Sequence, residues 1–74
     1  MDTKRLGRRI KAFRKLKGYT QITFAKEIDV SIAVLGRVER GTEVASDELI
    51  NKIGETLAVS REELMLDEKW MAGK

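Results

Sequence analysis

The chain has no cysteine and no histidine. Disulfide staples are therefore excluded, and so are zinc sites built from thiolate and imidazole; no metal is expected. The same absences remove the usual nucleophile–base pairs of catalysis. No glycine loop is spaced to cradle phosphate, and no carboxylate pair is placed for acid–base work, so no catalytic residue and no cofactor is assigned. No apolar run approaches the ~20 residues of a membrane span, and the N-terminus has no signal-peptide core. A cytoplasmic location without a membrane partner is the expectation. Proline, low-complexity runs and internal repeats are absent too.

What remains is 74 residues, expected to form a single domain over 1–74. A chain of this size buries only about 60% of its unfolded-chain surface. Without staples, stability has to come from well-packed helices, helped by a partner subunit. The net charge is +3, unevenly spread. Residues 1–41 carry eleven Lys or Arg against four acids, and residues 42–74 carry four against eight. A basic half joined to an acidic half points to a polyanionic partner; the bland alternative is a solvated, lysine-rich first helix.

Apolar spacing predicts five helices and no strand. The first covers about 4–17, capped by Asp2 or Thr3 and stopped at Gly18, with Leu6, Ile10 and Phe13 on one stripe. Thr20 caps a second through Ile28, with Phe24, Ala25 and Ile28 inward. Ser31 caps a third over 32–40, with Leu35 and Val38 inward and Gly41 at its end. Ser46 caps a fourth whose inner face is Leu49, Ile50, Ile53 and Leu57. Ser60 caps a fifth, where Glu63 is expected to complete a capping box. Tyr19, Val30, Ala45 and Val59 precede the last four caps, and Phe24, Leu35, Ile50 and Leu64 follow at hydrophobic-staple spacing.

The second and third helices are joined only by "DVS" (29–31). So short a link forces a steep crossing, with Ala25 small enough for close approach and Val30 at the corner. This is helix-turn-helix geometry. It exposes one face of the third helix and turns both N-termini outward, where free N–H groups and positive dipole ends suit phosphate.

At this point the sequence resembles a family, the lambda-repressor-like, Cro and phage-repressor (Xre-type) helix-turn-helix regulators. The matching stretches are "LGRRIKAFRKLKGYTQ", "FAKEIDVS", "LGRVERG" and "LINKIGETLAVSREEL". They cover residues 6–66, leaving 67–74 as a C-terminal extension. The resemblance implies an all-α, five-helix fold. It also implies a bacterial or phage regulator of transcription, expected to be a repressor, that reads the major groove of double-stranded DNA with its third helix. An alternative from another class is a protein-interaction module on the same fold, such as an antirepressor or antitoxin, with a protein partner in place of DNA.

Carried over by position, the resemblance makes Arg14 and Glu39 a structural ion pair tying the first helix to the end of the third. Gln21 falls where the family contacts phosphate and braces the reading helix. Thr20, Ser31, Arg40 and Thr42 fall at further phosphate positions. The base-reading positions fall on Ile32, Ala33, Gly36 and Arg37, and here the sequence departs from the family's polar pattern. Only Arg37 has a polar head, suited to guanine O6 and N7. Three readings of "IAVLG" stand open: apolar contact with thymine methyls, recognition of DNA shape with cations on phosphates, or a protein contact through Ile32, Ala33 and Val34. Leu66, Trp70 and Met71 are the expected contact of a weak homodimer.

Overall fold

The structure, a computed structural model, describes residues 3–65. Within them lie helices α1 (Thr3–Leu16), α2 (Gln21–Glu27), α3 (Ile32–Arg40), α4 (Asp47–Leu57) and α5 (Arg61–Leu64), and no strand. The all-α, five-helix expectation therefore holds.

Helix starts follow from the side chains before them. Thr20, Ser31, Ser46 and Ser60 sit in extended backbone, and each side-chain oxygen accepts from the N–H three residues on. The capping box, however, is at α2 and not at α5. Thr20 and Thr23 bond each other's backbone N–H reciprocally, whereas at α5 only the Ser60 half is formed. Threonine, with a short β-branched hydroxyl, closes a box that the sequence pattern assigns to Glu or Gln. Thr3 is the first helical residue of α1 and so does not cap it; Asp2 lies outside the described residues.

Helix ends share one device. The N–H groups of Tyr19, Val30, Thr42 and Val59 reach back to the carbonyls of Arg14, Ala25, Arg37 and Gly54. The residues before them, Gly18, Asp29, Gly41 and Ala58, all have positive φ. These are Schellman-type ends, which reverse the chain within a few residues. Tyr19, Val30 and Val59 thus finish one helix and immediately precede the cap of the next. Such links leave little slack between one helix and the next.

The core is one cluster: Leu6 and Ile10 of α1, Phe24, Ala25 and Ile28 at α2, Leu35 and Val38 of α3, Ala45, then Ile50, Ile53 and Leu57 of α4 and Leu64 of α5. Phe13, Tyr19, Val30, Val34, Leu49 and Val59 pack against it, partly buried. Tyr19 and Phe24, the first staple pair, lie with ring centroids 5.3 Å apart. Leu49, expected on the inner face of α4, is thus at the edge of the core.

α1 approaches the end of α3 closely. A Cβ on Gly7 would stand 2.4 Å from the Val38 carbonyl oxygen and 2.5 Å from that of Glu39. Only a residue without a side chain lets α1 lie this near the α3 backbone. Arg9, one of the basic residues of α1, is tied to α5. Its guanidinium donates to the carbonyls of Glu63 and Leu64 and lies 5.5 Å from the Phe13 ring centroid. The first helix therefore clamps the carbonyls at the end of α5.

Candidate nucleic-acid interface

The site starts from a buried polar brace. Arg14 Nε donates to Glu39 Oε2 at 2.6 Å and Nη2 to Oε1 at 3.2 Å, while Nη1 donates to the Tyr19 carbonyl at 2.9 Å. The two side chains are 6% and 3% exposed. Gln21 Nε2 donates to the same Glu39 Oε1 at 3.0 Å. One carboxylate therefore joins the end of α1, the start of α2 and the last turn of α3. Among the described residues no buried side-chain nitrogen or oxygen lacks a partner, so the cost of burying these charges is met by hydrogen bonds.

The brace fixes the outward face of α3. Ile32, Ala33 and Arg37 are exposed on it, Ile32 at 46%. Val34 is half-buried against the core, so the apolar patch read as Ile32–Ala33–Val34 shrinks to its first two members. Gly36, the fourth base-reading candidate, differs from the other three in its burial. It is buried, and a Cβ there would lie 3.2 Å from Nη1 of Arg40, whose guanidinium folds back along its own helix. The fourth base-reading position is thus covered by a cation in the free protein.

Arg37 is not idle. Its Nε donates to Glu43 Oε1 at 2.7 Å, with side chains 45% and 37% exposed. Its backbone carbonyl accepts from the Thr42 hydroxyl at 3.3 Å. Gly41, at φ +80°, makes this possible by turning the chain back onto the last turn of α3. Its α-carbon also faces the Lys4 backbone, with a Cβ excluded at 2.7 Å.

The remaining phosphate candidates stand near the starts of α2 and α3. The Ser31 hydroxyl accepts from Val34 N–H at 3.1 Å and keeps its own proton to donate. The Thr20 hydroxyl is more fully used, accepting from Thr23 N–H and facing Thr23 Oγ1 at 3.0 Å. Gln21 keeps one amide hydrogen beyond its bond to Glu39. The proposed dimer contacts Leu66, Trp70 and Met71 lie outside the described residues.

Sequence reasoning passed over Ile22, which is exposed on α2, Val44, exposed in the 41–45 loop, and Glu43. An apolar residue next to the α2 cap was a signal for the first. Glu43 carried none, because its pairing with Arg37 depends on the reversal at Gly41. No group of metal-binding residues occurs among the described residues, and no described helix is long and apolar enough to cross a membrane.

Comparison with known proteins places this geometry. A helix-turn-helix family model matches residues 10–64. The chain is 46% identical over 69 residues to YazB of Bacillus subtilis, an uncharacterised helix-turn-helix-type transcriptional regulator, covering 93% of this chain and 100% of the relative. The crystal structure of the restriction-modification controller protein C.AhdI from Aeromonas hydrophila superposes with a TM-score of 0.81 at 32% identity, covering 85% of this chain and 96% of that one. The clp gene regulator ClgR of Corynebacterium glutamicum gives 0.85 at 29% identity over 89% of this chain and 70% of its own.

Proposed function

Because the chain belongs to the lambda-repressor-like (Xre-type) helix-turn-helix family of DNA-binding transcriptional regulators, we propose that it reads the major groove with α3 and acts as a repressor. The supporting observation is the exposed face of Ile32, Ala33 and Arg37, held rigid from behind by Arg14, Glu39 and Gln21. Arg37 grips a guanine edge, and Ile32 and Ala33 meet thymine methyls. Gln21, Ser31, Arg40 and Thr42 hold the flanking phosphates, with Thr20 contributing chiefly by capping α2. Gly36 serves by leaving room for the Arg40 guanidinium and not by touching a base. Repression needs only that an operator be occupied, which this surface supplies without catalysis, metal or cofactor.

Such a face spans few base pairs, so the DNA-bound form is a dimer on a two-fold axis, with half-sites about 34 Å apart. The free dimer is weak and is consolidated by DNA, with contacts from the C-terminal residues Leu66, Trp70 and Met71. The setting is the bacterial cytoplasm, or that of a phage-infected cell.

The test is a salt titration on random and selected duplexes, with stoichiometry from sedimentation. About 6–8 neutralised phosphates per dimer give log K against log[salt] a slope near −5 to −7. A flat salt dependence would overturn the DNA reading and favour a protein partner on exposed Ile22, Ile32 and Val44.

A further inference from the structure

The contact between Arg37 and Glu43 assigns a role to a residue outside the reading helix. A guanidinium can present two different pairs of donors, either its two terminal nitrogens or one terminal nitrogen with Nε. Here Glu43 Oε1 takes the Nε hydrogen at 2.7 Å. Neither terminal nitrogen of Arg37 makes a hydrogen bond among the described residues. The pair that points away from Glu43 is the one that matches guanine O6 and N7 end-on.

We propose that Glu43 is a positioning and specificity-determining residue, holding Arg37 in the orientation that reads guanine and lowering the affinity for DNA at large. This rests on Arg37 being the base reader. The carboxylate acts in two ways. As an acceptor it restricts a long side chain, so less rotamer entropy is lost when the guanine bonds form. As a negative charge beside the interface, it weakens binding to every duplex alike through its phosphates, which leaves the choice among sequences to the orientation of Arg37. The sequence hides the device: the two residues are six positions apart across a helix end, a spacing with no helical or strand meaning.

The two effects separate by substitution. Glu43→Gln keeps an acceptor for Nε but loses the charge; Glu43→Ala loses both. The probes are duplexes recovered by the wild-type chain from a random pool, with each base pair then changed singly, together with a random duplex. Both variants should bind random duplex about threefold to fivefold more tightly, the scale of one exposed ion pair. Glu43→Ala should lose about fivefold in discrimination at the one position where Arg37→Ala abolishes preference, and Glu43→Gln should keep most of it. Thermal unfolding should stay near wild type in both, since the pair is half-exposed. Full discrimination in Glu43→Ala, with Arg37→Ala losing it, would overturn the positioning role while leaving Arg37 as the reader. Unchanged preference in Arg37→Ala would overturn the reader assignment itself, and the proposal with it.

Discussion

Glu39 takes the guanidinium of Arg14 in two hydrogen bonds, 2.6 and 3.2 Å long, across the contact between α1 and α3. The Glu39 backbone is also what Gly7 approaches two turns earlier on α1, so close packing and charge both join the end of α3 to the first helix. The Gln21 bond to the same carboxylate extends this fixed point to α2. The orientation of α3 therefore depends on a group that faces the interior and not the partner.

We predict that Arg14→Met lowers stability by about 3–5 kcal/mol, because it leaves Glu39 buried with Gln21 alone. Relative preference among DNA sites should not change in the population that remains folded. Arg14→Met combined with Glu39→Leu should recover part of the loss, since the unpaired charge is gone. Denaturant titration and competition binding check both points. Full stability with lost discrimination would place Arg14 at the DNA instead.

Arg37→Ala should cost about 1–3 kcal/mol at a single base position and relax the preference there. Gln21→Ala should weaken all sites to a similar degree, through its phosphate contact and through looser bracing of Glu39. The measurement is affinity across singly substituted duplexes. Uniform and equal losses in both variants would mean that the two roles are wrongly divided.

Much of the fold was legible because it is local. Serine and threonine caps act within three residues, and "DVS" supplies both the end of α2 and the cap of α3. The capping box was misplaced because the pattern weighs Glu63 above Thr23, whereas geometry favours the short hydroxyl pair at Thr20 and Thr23. The site was less legible. Arg9 reaches the α5 carbonyls across more than fifty residues of chain, and no periodicity marks it as structural. Gly36 looked open because the helical phase puts it beside the reading face. The Arg40 guanidinium lies beside it, a side-chain conformation that spacing does not encode.

Two helix ends put ordinary residues where glycine is at ease. Asp29 and Ala58 both have φ of 58°. Aspartate tolerates this region through local hydrogen bonding, but alanine has no such compensation. Ala58 is exposed, so its methyl group contributes little packing. Ala58→Gly is predicted to stabilise the domain by about 0.5–1 kcal/mol, despite the greater freedom glycine gives the unfolded chain. For a domain of this size the melting temperature would rise by roughly 2–8 °C. Asp29→Gly should do less, and an equal or larger gain there would contradict the explanation.

Gly7 and Gly36 are both buried helical glycines, yet the same substitution should move stability in opposite directions. At Gly7 a methyl would meet the carbonyl oxygens of Val38 and Glu39 at 2.4 and 2.5 Å, atoms of a helix backbone that cannot turn aside. The helices must separate, and the separation also stretches the bonds between Arg14 and Glu39. Overpacking typically costs about 1–3 kcal/mol, and the brace adds to it, so Gly7→Ala should be at or above that range. At Gly36 the nearest atom is Nη1 of Arg40, 3.2 Å away at the tip of a flexible side chain. That tip can move, and alanine gains roughly 0.8–1.0 kcal/mol of helix propensity over glycine. Gly36→Ala should therefore melt higher than wild type. It should also bind DNA more weakly at every sequence alike, because the displaced Arg40 guanidinium no longer lies where it meets phosphate. A Gly36→Ala variant that loses preference at one base position would restore Gly36 to the reading face. One that melts lower would mean that the Arg40 guanidinium is held in place and is not free to yield.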